Sequence, residues 1–188
     1  MSELWRKTAC EMVNLLASGE VRPTEAVAAS AQRIEATDGA VNAMVTVCLD
    51  RAMAHATRIE AEGHPDQPGP GYLYGLPVSV KDLYQVEGVR CTEGSPIFAD
   101  HISTESDLMV QNLESNGAIV IGKSNTPEFG AGANTFNEVF GKTRNPWNTD
   151  KSCGGSSGGA AVSLAAGQVW MATGSDLGGS LRTPASYC

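Results

Sequence analysis

Two glycine-framed serines constrain this chain more than any other feature: Gly154-Gly155-Ser156-Ser157-Gly158-Gly159 and Gly174-Ser175-Asp176-Leu177-Gly178-Gly179-Ser180-Leu181-Arg182. Glycine tolerates φ > 0 and lets backbone approach a neighbour or a bound group closely. A serine framed this way exposes both its hydroxyl and the adjoining N–H groups. Those are the parts acyl transfer needs: a nucleophile, and donors aimed at a developing oxyanion. A flexible Gly/Ser linker would carry its bias onward. Here the first frame runs instead into Ala160-Ala161-Val162-Ser163-Leu164-Ala165-Ala166, which reads as packed, and Arg144-Asn145-Pro146-Trp147 precedes it. Both frames are therefore read as structured.

Periodicity organises the rest. Trp5, Ala9, Met12, Val13 and Leu16 predict a helix over residues 4–17 that stops at Ser18-Gly19. A second helix starts at Pro23-Thr24-Glu25 and is expected to end at Asp38-Gly39. A short extended run over 43–48 precedes an alanine-rich amphipathic helix over 51–62. The stretch 63–71, with three prolines and three glycines, marks an internal boundary. Beyond it, Leu76-Pro77-Val78-Ser79-Val80 and Ala118-Ile119-Val120-Ile121 read as strands. Between them a helix capped by Thr104 or Ser106 runs to Asn116. A helix over 157–166 and a strand over 169–172 repeat the alternation. The fold class is α/β: a helical N-terminal section, 1–66, then the first part of a mixed sheet flanked by helices, 67–188. Because Ser186-Tyr187-Cys188 follows the second frame without a cap or polar tail, the expectation is an incomplete domain, the N-terminal part of a longer enzyme.

Composition excludes several functions. The 188 residues carry a formal charge of −8, which disfavours nucleic acid and anionic membrane surfaces. Met1 to Lys7 opens no apolar signal segment, and no run approaches the ~18–20 residues of a membrane span. A cytoplasmic protein is expected. Cys10, Cys48, Cys91, Cys153 and Cys188 are scattered without a C-x-x-C pair, so free thiols are expected, with no metal site and no cofactor.

Two generic motifs fail on context. Gly117 to Ser124 satisfies the phosphate-loop pattern, but its middle four residues are a β-branched run and Pro127 soon follows. The plainer reading is a buried strand followed by a loop, with Lys123 solvated or capping. Gly154 to Gly158 matches the nucleophile elbow, which needs a strand immediately before it. Turn-like residues precede it here, and His55, His64 and His101 all lie upstream.

With histidine scarce, a serine needs another base. A lysine serves if burial and hydrogen bonding hold it neutral. Lys81, ending the apolar run 76–80 and followed by Asp82, is the candidate. From local sequence alone a surface lysine with a buried stem is the better reading.

Taken together, Gly75 to Asp82, Gly122 to Phe129, Arg144 to Trp147 and the two serine frames, in this order, resemble the amidase signature family. The resemblance is dense over 75–187 and loose before it. It implies Ser180 as nucleophile, Ser156 as bridging serine behind a cis peptide at Gly155–Ser156, and Lys81 as base. It further implies an oxyanion hole built by the N–H groups of Leu177, Gly178, Gly179 and Ser180. Ser157 would fix the Lys81 lone pair, while Asp176 and Arg182 would form a structural ion pair or contact substrate. A base neutral near pH 7 requires a Lys81 pKa lowered by about 3 units.

The implied activity is hydrolysis of a small carboxylic amide through an acyl-serine, with no cofactor, no nucleic acid and no membrane. A homo-oligomer is compatible with it. Two alternatives stay open. One is the amidase subunit of a glutamine-dependent tRNA amidotransferase. The other is a nucleotide-binding module or catalytically silent fragment.

Overall fold

The computed structural model describes residues 3–188. Leu4–Arg6 form a single 3₁₀ turn, and the first α-helix, α1, starts only at Ala9, running Ala9–Ser18. Thr8 sets that start: its hydroxyl accepts from Glu11 N, while the Glu11 carboxylate accepts from Thr8 N. Gly19, at φ 77°, ends the helix in the left-handed region as expected. The second helix, α2 (Pro23–Val41), runs past the expected stop at Asp38-Gly39. Asp38 is used as a cap from within: its carbonyl accepts Asn42 N, and its carboxylate accepts Ala43 N and Met44 N. Asn42 takes the left-handed turn instead of Gly39.

Strand β1 (Met44–Val47), helix α3 (Leu49–Glu62) and, after a loop, strand β2 (Pro77–Lys81) follow. Helix α4 (Leu108–Ser115) starts later than expected, with Asp107 at its N-cap position. The Ser106 hydroxyl is taken by Glu87 N and the Asp107 carboxylate by Gln85 N, so both tie the helix entry to the preceding loop. Strand β3 (Ile119–Ser124), a two-residue hairpin of β4 (Phe136–Asn137) and β5 (Gly141–Lys142), helix α5 (Gly158–Ala165), strand β6 (Met171–Ala172) and helix α6 (Arg182–Tyr187) complete the order.

The main sheet has the order β1-β3-β2-β6, with β1 antiparallel to β3 and the other neighbours parallel. Every residue of β2 and β3 is buried, as expected of central strands covered on both faces. On one face, Ile119 and Ile121 pack with Val27 and Ile34 of α2 and Ala52, Ala56 and Ile59 of α3. On the other, Val78, Val80 and Val120 pack with Val110 of α4.

A bulge interrupts this alternation. Val78 pairs with Val120, but Ser79 pairs with Gly122, leaving Ile121 as an extra residue in β3. One inserted residue moves every later side chain to the opposite face. Lys123 therefore shares the face of Val80, and Ser124 shares that of Lys81.

Candidate active site

Lys81 and Ser79 lie two apart in β2 and so point to one face, toward α5. The Ser79 hydroxyl sits 3.4 Å from that of Ser163 in α5. At the N-terminal end of α5, the Lys81 ammonium nitrogen meets three hydroxyls: Ser156 at 2.7 Å, Ser157 at 3.0 Å and Ser175 at 3.1 Å. The Lys81 N–H donates to Thr173 Oγ1 at 2.9 Å, tying the strand end to the segment after β6. Lys81 is fully buried, and Ser156 and Ser157 are only 2% and 1% exposed. Among the described residues no carboxylate pairs with Lys81. Burial lowers its pKa from the usual lysine value to about 8.

The helix reaches the lysine because its first turn has almost no side chains. Gly159 packs on the backbone of Asn125, where a methyl group would strike both the nitrogen and the carbonyl oxygen. Gly159 N donates to Asn125 O at 3.2 Å. Gly159→Ala is therefore expected to lower the urea-unfolding free energy by about 1–3 kcal/mol, the usual penalty of overpacking. A midpoint equal to wild type would contradict this close approach. Asn125 is itself fixed: its side-chain nitrogen donates to Thr143 Oγ1, and its side-chain oxygen accepts from Asn137 Nδ2.

The Gly155–Ser156 peptide is cis. Ser157 N donates to the carbonyl of Ser180 at 3.1 Å, which sets the second glycine frame beside the first. The Ser180 hydroxyl, by contrast, makes no hydrogen bond to Ser156 among the described residues. Lys81, Ser156 and Ser157 are thus in direct contact, and Ser180 joins them through backbone.

Asp176 organises that second frame. Its carboxylate accepts from Gly179 N at 2.7 Å, Leu181 N at 3.1 Å, Arg182 N at 3.2 Å, and the Arg182 guanidinium at 2.9 and 3.0 Å. The Arg182 guanidinium, then the Gly179 and Leu181 N–H groups, hold the Asp176 carboxyl far below its ordinary pKa. Of the four N–H groups expected to face an oxyanion, that of Gly179 is therefore turned to Asp176. Leu177 is fully exposed.

Lys123 departs from the sequence reading. It is neither solvated nor a cap: its ammonium lies 2.9 Å from Asp82 Oδ1, with the side chains 0% and 1% exposed. The Asp82 carboxylate also accepts from Thr92 N and from Thr92 Oγ1, the latter at 2.6 Å. A strand residue held in a buried ion pair leaves no phosphate loop. Cys91 and Cys153 are buried, with burial pushing both thiols up in pKa, which suits inert packing groups. Among the described residues, no group of three His, Cys, Asp or Glu side chains is placed to hold a metal ion. No described helix is long and apolar enough to cross a membrane.

Ser175 was missed by sequence reasoning. It opens the second frame, and β6 runs parallel to β2, so the residues just past β6 arrive beside the end of β2 and Lys81. A hydroxyl at the strand-to-loop exit next to a candidate base was the available signal. An apolar cleft of about 470 Å³ opens beside the cluster, bordered by Ser157 and Thr173 and lined by Ala161, Leu164 and Leu181.

Known proteins resemble this chain in sequence and in overall fold. The Amidase family model matches residues 25–188. A glutamyl-tRNA(Gln) amidotransferase subunit from Moorella thermoacetica is 42% identical over 187 residues, spanning 99% of this chain and 38% of that protein. The structure of 6-aminohexanoate cyclic dimer hydrolase superposes with a TM-score of 0.88 at 32% identity, over all of this chain and 37% of that one. Fatty acid amide hydrolase superposes with a TM-score of 0.90 at 27% identity, over 98% of this chain and 32% of that one. The chain thus spans well under half the length of the relatives it matches.

Proposed function

The chain belongs to the amidase signature family, and from that premise we propose that it carries the catalytic core of an amide hydrolase working through an acyl-serine. The observation that supports this best is the 2.7 Å contact between the buried Lys81 amine and the Ser156 hydroxyl. Burial disfavours the charged ammonium, so the amine is available as a base close to neutral pH.

In this reading neutral Lys81 accepts the Ser156 proton as Ser156 accepts that of Ser180. Ser180 Oγ attacks the amide carbonyl carbon, and the carbonyl electrons move onto oxygen. The N–H groups of Leu177, Gly178 and Ser180 receive the developing oxyanion, with Gly179 joining only if its bond to Asp176 opens. Collapse of the intermediate expels the amine, which takes its proton from Ser156 while Lys81 restores that serine. Water, deprotonated along the same path, then attacks the acyl carbon. Collapse breaks the ester C–O bond, releases the carboxylic acid, and returns the proton from Lys81 through Ser156 to Ser180 Oγ. The Ser180 side chain must rotate to meet Ser156, in keeping with the looseness of catalytic hydrogen bonds in unliganded sites. Asp176 and Arg182 act structurally here, holding the loop that carries Ser180.

The pH dependence follows from the sign of the Lys81 shift. The base is active when unprotonated, so kcat/KM should fall about tenfold per unit below pH 8 and flatten above it. A pH–rate profile flat from pH 6 to 10 would remove Lys81 as the base. Labelling supplies the direct test: a fluorophosphonate should modify Ser180 covalently, and modification at another serine would overturn the assignment.

A second reading is supported by relatives 39–44% identical that are named as glutamyl-tRNA(Gln) amidotransferase subunits. The same core would then release ammonia from glutamine for a partner subunit. Glutamine turnover that appears only on adding partner subunits would favour it over a free-standing amidase.

A further inference from the structure

We propose that Ser175 is a positioning residue for the amide-cleaving reaction, orienting the Lys81 amine so that its lone pair faces Ser156. The inference rests on Lys81 being the base, as proposed above.

The hydrogen inventory carries it. A neutral lysine amine has two hydrogens and one lone pair, and this one has three hydroxyl neighbours. Ser157 has its single hydroxyl hydrogen committed to the carbonyl of Ser175, at 3.3 Å, since a carbonyl only accepts. Its oxygen also accepts from Ser175 N at 3.3 Å. Toward Lys81, then, Ser157 has only an acceptor to offer, and it takes one amine hydrogen. One hydrogen and the lone pair remain for Ser156 and Ser175. If Ser175 accepts the second hydrogen, the lone pair falls on the shortest contact, that to Ser156. Without the Ser175 hydroxyl, the second hydrogen is free to turn toward Ser156, and proton transfer in the productive direction is lost from that population.

The same cage answers the charged form. An ammonium has three hydrogens and finds three acceptors, so removing one leaves a buried charged N–H unpaired. Loss of Ser175 Oγ therefore disfavours the ammonium more than the neutral amine. Of the charged groups on neighbouring elements, Asp82, just past β2, pairs with Lys123 of β3, and Asp176 pairs with Arg182 after β6. Arg33 of α2 donates to the Ala166 carbonyl and stacks on Trp5. α5 and β6 carry no ionisable side chain.

The test compares Ser175→Ala and Ser175→Thr in the protein together with any partner subunits it requires. Ser175→Ala should lower kcat about tenfold at the alkaline plateau, leave KM within about twofold, and move the limb near pH 8 to lower pH by about one unit. Ser175→Thr, which keeps the hydroxyl, should restore both plateau and limb. A lowered plateau with an unmoved limb, or equal loss in Ser175→Thr, would overturn the positioning role, because general loosening of the loop predicts either. Wild-type protein lacking a limb near pH 8 would instead refute Lys81 as base, and the two failures are thereby told apart.

Discussion

Ser180→Ala is expected to reduce amide hydrolysis by roughly 10⁴–10⁶-fold, the scale seen when a serine hydrolase loses its nucleophile. Fold should survive the change. The Ser180 hydroxyl makes no described hydrogen bond, whereas its carbonyl, which holds Ser157 N at 3.1 Å, is unaffected by the substitution. The residual rate would come from substrate binding and the remaining N–H donors. Far-ultraviolet circular dichroism and fluorophosphonate labelling check both halves of the expectation. A variant that keeps its spectrum, loses labelling and hydrolyses amide at the wild-type rate would show that another group attacks the carbonyl. Ser156→Ala should also be severely impaired, because it removes the hydroxyl that carries the proton between Ser180 and Lys81, while the Ser157 hydroxyl is committed to the Ser175 carbonyl.

The largest expected effect on stability lies away from the reacting groups. Lys123→Met should destabilise the protein by about 3–5 kcal/mol, because it strands the buried Asp82 carboxylate without its cation. Two hydrogen-bonding groups of Thr92 would still hold that carboxylate, yet neither carries a charge. The double change Lys123→Met with Asp82→Leu should recover much of the loss, since a buried pair is often replaceable by apolar groups of similar volume. Urea denaturation of wild type and both variants checks this. Single and double variants of equal stability would mean that the ion pair is not the cause. Activity measured in the double variant would separate support of the β2 and β3 ends from the chemistry at Lys81, which points to the other face.

The strands were legible because they obey short-range rules. A β-branched run bounded by glycine marks β2 and β3. Local sequence, by contrast, favoured a surface position for Lys81, and only the joint order of the motifs singled it out. The contact of Lys81 with Ser156 spans 75 residues, and no periodicity encodes it. It was reached through the joint order of the motifs. Three features escaped for physical reasons. The burial of Lys123 depends on the bulge at Ile121, and a bulge in a continuous apolar run leaves no mark in composition. The end of α2 moved because Asp38 satisfies three N–H groups beyond it, and that competition is settled by the chain that follows. Ser175 was overlooked because its hydroxyl matters only once β6 has paired with β2, a long-range event.

The extra residue in β3 also decides which amines share a compartment. Counting onward from the Val78–Val120 pair without interruption would set Lys123 opposite Lys81, two cationic side chains side by side in a dry interior. The irregular pairing sends one amine to a carboxylate and the other to a ring of alcohols. Electrostatic isolation of a weakly basic amine is thus written into strand parity, and a one-residue slip of β3 would convert a proton acceptor into half of a repelling pair.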